Sequence, residues 1–250
     1  MLATRLIATL IVADGTVVQS VQFKHTNVIH WKPLTAIDFF NKWEVDEIVL
    51  LDVSRVNTRE SREKFHALLS EMSEKCFVPL TVGGWIKSAE DVRTLLRLGA
   101  DKVVLNTEAY RRPMLIREVA AVFGSQCVVV SIDVRGGETV YINRGATRVF
   151  PSPVDRARQA ESDGAGEIYI TSIDHDGMRQ GYDLDLVRSI VHAVNIPVVA
   201  FGGVFTWQHL VDGVLIGGAD AVAAANAFHF TEHSTKRAKD YMRKAGIAVR

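Results

Sequence analysis

Along the chain, short runs of aliphatic and β-branched residues alternate with longer stretches whose apolar positions recur at helical spacing. The runs predict strands near 5–12, 47–53, 78–82, 102–106, 127–133, 167–172, 197–201 and 220–225. The stretches between them predict helices near 34–43, 58–74, 88–98, 111–122, 152–163, 184–193 and 206–216, with a last one near 234–244. Strict alternation calls for parallel strands, because each crossover helix returns the chain to the same end of the sheet. Strand cores such as Ile48-Val49-Leu50-Leu51 and Val128-Val129-Val130 fit strands covered by helices on their outer face. Two long connections read as loops, 13–33 and 134–151. The second, from Val134-Arg135-Gly136-Gly137-Glu138 onward, is expected to hold a small hairpin.

The pattern is written twice. Leu80-Thr81-Val82-Gly83-Gly84 leads to Gly99-Ala100-Asp101, and Val199-Ala200-Phe201-Gly202-Gly203 leads to Gly218-Ala219-Asp220. The offset is 119 both from Gly83 to Gly202 and from Asp101 to Asp220. Asp46-Glu47-Ile48-Val49 and Gly166-Glu167-Ile168-Tyr169 repeat at an offset of 120, from Glu47 to Glu167. The first predicted strand overlays the fifth at an offset of 122, which sets Ile11 against Asp133. Two equal four-strand halves close symmetrically. The expected fold is therefore α/β, a single (β/α)8 TIM barrel over 1–250 with half-barrels of about 1–123 and 124–250. An open doubly wound sheet would want a Gly-rich nucleotide turn near its start, which this sequence lacks.

Composition narrows the function classes. The 29 basic and 29 acidic residues cancel, which argues against a nucleic-acid or membrane-docking surface. No apolar run approaches the roughly 20 residues that span a bilayer. Met1-Leu2-Ala3-Thr4-Arg5 leads straight into a strand without a leader-cleavage pattern, and Cys76 and Cys127 are too few for a disulfide framework or a zinc cluster. A cytoplasmic setting is expected.

In such a barrel the loops after the strands form the active face. Gly83-Gly84 and Gly202-Gly203 fall there, and side-chain-free turns let backbone N–H groups approach an anion. With Asn106-Thr107 and Ala225-Asn226 they would make two phosphate cradles, one per half, suited to a substrate with a phosphate at each end. The other reading is that the glycines turn tight corners in a repeated fold. Trp85, Phe201 and Phe205 are bulky neighbours that would narrow both loops. The eight histidines show no metal-ligand spacing, and Asp174-His175-Asp176-Gly177 lacks the remaining ligands of a calcium loop. No metal and no cofactor are expected. His229 is expected to be packed, and Trp31, Phe39, Phe40 and Trp43 to be core, or a partner-binding patch where exposed.

These residues belong to a longer ordered series. It comprises Met1-Leu2-Ala3 with Arg5, Asp14-Gly15, Asp46-Glu47, Thr81-Val82-Gly83-Gly84, Gly99-Ala100-Asp101-Lys102 and Phe123-Gly124-Ser125-Gln126. It continues through Ile132-Asp133, Gly164-Ala165-Gly166-Glu167-Ile168, Thr171-Ser172-Ile173-Asp174, Asp176-Gly177, Gly181-Tyr182-Asp183 and Phe228-His229-Phe230. Over essentially its whole length the chain resembles the cyclase subunit of imidazole glycerol phosphate synthase, the HisF family. The resemblance implies an imidazole ring closure fed by ammonia from a separate HisH-like glutaminase at the barrel bottom. It implies catalytic carboxylates ending the first and fifth strands. Asp133 matches the second, but Ile11 stands at the first and cannot exchange a proton. Gln19 stands where the family has a loop lysine. Arg5, Glu47, Lys102 and Glu167 match a ring of alternating charge that gates the ammonia passage, and Asp101 matches the docking surface for the glutaminase. Asp176, on a loop flanking the family's active site, is an expected substrate contact. So are Thr171 and Ser172, for which a plain strand-end role stays open.

A preserved delivery end beside a disabled reaction end resembles a branch of HisF-like proteins tied to surface-polysaccharide or acetamidino-sugar formation. There the barrel and its glutaminase supply ammonia to a third protein, a sugar amidotransferase, at the top face. Cys76-Phe77-Val78-Pro79-Leu80 resembles that branch as well. The expectation is an ammonia-channelling subunit of a glutamine amidotransferase complex, with cyclase activity weak or lost. The alternative is a genuine cyclase (lyase) of histidine biosynthesis that pairs Asp133 with Asp176 or a water. An exposed apolar rim would favour docking of a third protein, and open, basic-lined cradles a phosphorylated small molecule.

Overall fold

In chain order the first elements are β1 (Arg5–Ala13), β2 (Thr16–Val21), β3 (Lys24–His30), α1 (Leu34–Lys42), β4 (Glu47–Asp52), α2 (Arg59–Lys75), β5 (Leu80–Gly83), α3 (Ala89–Arg97), β6 (Lys102–Leu105), α4 (Thr107–Arg111) and α5 (Met114–Phe123). There follow β7 (Val128–Arg135), β8 (Thr139–Ile142), β9 (Thr147–Val149), α6 (Pro153–Ser162), β10 (Glu167–Ser172), α7 (Leu184–Val191), β11 (Val198–Phe201), α8 (Trp207–Leu215), β12 (Ala221–Ala224) and α9 (Ser234–Lys244). The computed structural model describes residues 3–229 and 232–250, the side chains at 25 and 26 excepted. Met1, Leu2 and Phe230 of the family resemblance lie outside the described residues.

Eight strands pair in parallel and close on themselves in the order β1-β4-β5-β6-β7-β10-β11-β12, with β12 returning to β1. Alternate side chains on each strand point to opposite faces. Leu6, Ala8, Leu10 and Val12 of β1 pack outward against the helices, while Ile7 and Ile11 point into the barrel with Val49, Val104, Val129 and Val199. Burial on both faces is why the strands read as near-continuous apolar runs. Helix starts are set locally: Ser88, Ser152 and Asp183 each accept a backbone N–H in the first turn of α3, α6 and α7, and Thr58 with Ser61 forms a capping box on α2.

The repeat has a physical basis at the strand starts. Asp46, Asp101 and Asp220 each sit in the turn before a strand and accept the N–H of Leu6, Leu80 and Val198, at 2.7, 2.7 and 2.9 Å. Each returns its own N–H to the carbonyl of the same residue. At the fourth equivalent place Gly166 keeps only the backbone half, to Val128. Registers agree with the duplication too: Ile11 pairs with Leu51, and Asp133 pairs with Thr171.

Three expectations need correction. The connection at 13–33 is largely a hairpin, β2 paired antiparallel with both β1 and β3. The helix expected near 111–122 is α5, started at Pro113, and a separate short helix, α4, precedes it across a non-helical Arg112. Of the aromatic residues around α1, Phe40 is core, but Trp31 is 77% exposed in the turn that leaves β3. The hairpin expected within 134–151 is present as β8 and β9.

Candidate active site and the ion-pair ring

At the end where the strands begin, Arg5, Glu47, Lys102 and Glu167 are the first residues of β1, β4, β6 and β10. Strand parity turns all four inward, and they close a cycle. Arg5 Nη1 lies 2.9 Å from Glu47 Oε2, and Lys102 Nζ lies 2.8 Å from Glu47 and 2.9 Å from Glu167. Arg5 contacts Glu167 to complete it. Thr81 Oγ1 donates to Glu47 at 2.6 Å. Burial opposes the charge on Glu47, but Lys102, Thr81 and Arg5 outweigh it and hold its carboxyl below the ordinary value. Asp101 lies beside this end, exposed, with its carboxylate already engaged by Leu80. Above the ring, Ile7, Val49, Val129 and Val199 fill the interior together with a hydroxyl pair, Thr9 and Tyr169 at 2.7 Å.

The other end opens into a cavity of about 500 Å3. Asp133, near the end of β7, lines it and is 8% exposed. Its carboxylate accepts from Asn106 Nδ2 at 2.9 Å and Ser131 Oγ at 3.0 Å. Burial pushes its pKa up to about 7; those two hydrogen bonds restrain the rise and the nearby Asp176 adds to it. Asp176 lines the same cavity, with its carboxylate held by Ser20 Oγ at 2.5 Å and Phe23 N–H at 3.1 Å. Its pKa is raised as well, by burial. Ile11, 6% exposed, also lines the cavity, where a hydrocarbon takes no part in proton transfer. Thr171 lines it; Ser172 is buried outside the lining. Gln19 lies on β2 and accepts from Asn27, outside the lining.

The two expected cradles differ. Gly83, Gly84, Asn106 and Thr107 all line the cavity. Gly84 has φ +120°, and a Cβ there would collide with the Asp52 backbone, so the tight-corner reading also holds there. Gly202, Gly203, Ala225 and Asn226 do not line it. Gly181 donates to the Gly203 carbonyl at 2.9 Å, and a Cβ at Gly203 would collide with the Gly181 carbonyl. Asn226 Nδ2 donates to the Ser20 carbonyl at 3.3 Å, and Gln22 N–H donates to the Asp176 carbonyl at 2.9 Å. The β2–β3 hairpin and the loop after β10 therefore occupy the second cradle's surroundings. His229 is packed against His30 of that hairpin, Nδ1 to Nε2 at 3.1 Å, and burial lowers its pKa to about 3.

Sequence reasoning missed several lining residues. Ser131 stands two before Asp133, on the same face of one strand, and that spacing was the available signal. Arg55, Lys87, Arg111 and Arg144 gave none, since they sit in loops and a short helix whose reach depends on the fold. The rim is also apolar in places: Trp31, Val56, Phe150, Met178 and Phe205 are exposed, with Arg148 over the Phe150 ring and Arg179 over the Phe205 ring.

Among the described residues no helix is long and apolar enough to cross a membrane. Residues 5–234 match the family described as histidine biosynthesis protein. A protein of Vibrio vulnificus (strain YJ016), provisionally named imidazole glycerol phosphate synthase subunit hisF2, is 45% identical over 253 residues, covering 100% of this chain and 92% of that protein. The imidazole glycerol phosphate synthase subunit HisF of Clostridium botulinum (strain Langeland / NCTC 10281 / Type F) is 43% identical over 255 residues, covering 100% of both.

Proposed function

The chain belongs to the HisF family of histidine biosynthesis proteins, and from that membership we propose that it is the ammonia-conducting barrel of a glutamine amidotransferase complex, with ring closure weak or lost. The observation that carries this reading is a complete ion-pair ring at one end combined with Ile11 at the other. General acid–base catalysis supplies about 10² to 10⁴ per group, so an isoleucine in place of one carboxylate removes most of the chemical step. A HisH-like glutaminase docks at the ring end, around Asp101. The apolar rim at the cavity end suits a third protein, a sugar amidotransferase of surface-polysaccharide biosynthesis, in the cytoplasm.

A second reading has its own observation. Asp133 and Asp176 share the cavity and both have raised pKa values, and a carboxyl near 7 can give or take a proton at neutral pH. That favours a genuine cyclase of histidine biosynthesis in which Asp176 substitutes for the missing group. One assay separates the two: turnover of the ribulosyl-formimino ribonucleotide with saturating ammonium and no glutaminase. The conduit reading expects no measurable turnover from a folded barrel that still stimulates a glutaminase. Turnover within about tenfold of an ordinary cyclase, about 1.4 kcal/mol in barrier, would discard it in favour of the lyase.

A further inference from the structure

A buried hydroxyl pair inside the barrel has no part in the chemistry of either end. Tyr169 follows Glu167 by two residues on β10 and precedes Thr171 by two, so all three share the inward face. Glu167 belongs to the ring and Thr171 to the cavity lining, which places Tyr169 between them. Its hydroxyl reaches Thr9 on β1, oxygen to oxygen at 2.7 Å. Along the wall β11 and β12 separate β10 from β1, so the two hydroxyls meet inside the barrel. There β12 turns Ala221 and Ala223 inward, and these small residues leave room for the tyrosine ring, which packs on Phe201 with centroids 5.2 Å apart. Tyr169 lines the cavity, whereas Thr9 is fully buried and lies outside the lining.

The pair has hydrogen-bonding capacity to spare. Each hydroxyl carries a hydrogen, and the bond between them uses only one of the two. Whichever group accepts keeps its own hydrogen, and neither side chain makes another hydrogen bond among the described residues. The phenol stays protonated: burial raises its pKa well above the ordinary value, the Thr9 bond restrains the rise, and Tyr182, Glu47 and Asp133 add to it. A spare donor so far from solvent costs stability unless a small polar molecule takes it.

We infer that Thr9 and Tyr169 form a binding station for neutral ammonia between the ion-pair ring and the cavity, and that their mutual bond opens to let it through. Ammonia has a lone pair as well as N–H groups, so it accepts from the phenol while donating to the threonine oxygen. Ammonium lacks the lone pair and would bring a full charge to two neutral hydroxyls, so the station selects the neutral form. The inference deepens the conduit reading and rests on it for the direction of travel. It involves no proton transfer and does not depend on ring closure.

The test is NMR of the full chain with isotope-labelled isoleucine methyl groups, in ammonium chloride against equal sodium chloride. Ile7 and Ile11 flank Thr9 on the inward face of β1, and Ile190, buried in α7, serves as the control. On the alkaline side, where ammonium yields free ammonia, the Ile7 and Ile11 methyl signals are expected to move saturably while Ile190 stays. On the acid side the two salts should act alike. The Thr9→Val, Tyr169→Phe double variant keeps both shapes and removes both hydroxyls, so it should melt like the parent. The ammonia needed for half the response should rise at least about fivefold, the worth of one net hydrogen bond. Unmoved Ile7 and Ile11 signals in the parent would overturn the inference, as would an equal response on the acid side or a double variant that responds like the parent. Stimulation of a glutaminase partner is measured on the same samples. A parent that stimulates the partner yet shows no ammonia response discards the station and leaves the conduit reading standing. A response without stimulation keeps the station and discards the conduit.

Discussion

Glu47 at one end of the barrel and Asp133 near the other are almost equally withdrawn from water, 3% and 8% exposed, yet their acidities move in opposite directions. Glu47 has two cations and a hydroxyl within hydrogen-bonding distance, and its carboxyl is held below the ordinary value. Asp133 has an amide and a hydroxyl, with another carboxyl nearby, and its pKa rises to about 7. Burial is common to both, so the partners decide the sign. The ring end satisfies its charges within the chain and leaves little to titrate near neutrality. The cavity end keeps a group poised where proton exchange is cheap, across the barrel from a position, Ile11, that holds no second one.

The sharpest way to break this contrast is Lys102→Met, which leaves Glu47 and Glu167 sharing Arg5 alone. Denaturant unfolding is expected to show a loss of about 3–5 kcal/mol. Replacing all four ring residues with leucine or methionine should recover much of that, because an apolar plug carries no desolvation penalty. A stable quadruple variant would indicate that the ring is kept for something other than stability.

The two ends should also differ in the sign of their pH dependence. Glu47 has a depressed folded pKa, so its stabilisation is present above the ordinary carboxylate value and disappears as pH falls through the depressed one. Asp133 has a raised folded pKa, from 3.8 to about 7. Between those values the folded chain holds a proton that the unfolded chain has released, so stability falls as pH rises through that window. Above it the folded protein carries the whole cost of a buried charge. Asp133→Asn is therefore expected to raise stability at alkaline pH by about 4 kcal/mol, the gain vanishing below about pH 4. A gain independent of pH would contradict the assigned cause.

A smaller effect is expected from restoring the missing groups. The Ile11→Asp, Gln19→Lys double variant should raise ammonium-dependent ring closure about tenfold to a hundredfold, at some cost in melting temperature. Absence of any gain would mean that the cyclase substrate does not bind. Asp101→Ala should cost only about 1 kcal/mol, the lost brace on Leu80. A larger drop in glutaminase coupling than in stability would support the proposed docking role of Asp101 apart from its structural one.

Much of this architecture was legible in local pattern. All eight barrel strands and their alternation follow from runs of apolar residues, and the opposition of Ile11 and Asp133 follows from the repeat alone. The ring was expected through the family resemblance; the residues by themselves show only four charges at strand starts, which would ordinarily be solvated. What stayed hidden depends on distant partners. The β2–β3 hairpin reads as a loop, since its fixed place comes from contacts such as Ser20 with Asp176, 156 residues apart. That hairpin is what makes two similar glycine loops unequal, and no feature of Gly202-Gly203 itself foretells it. The raised pKa of Asp133 likewise needs the positions of Ser131, Asn106 and Asp176 together.

The ring has one more consequence. Two positive and two negative charges alternating around a closed square have no net charge and nearly no dipole, so the arrangement is a quadrupole. Its potential fades with distance much faster than that of a lone ion. Seen from Asp133, the far end of the barrel is electrically silent. Substitutions in the cavity are therefore free to accumulate without disturbing the ring, and the complete ring leaves the acidity of the cavity untouched, whereas loss of one member would leave a net charge. One scaffold can in this way keep an entrance while its interior chemistry is rewritten.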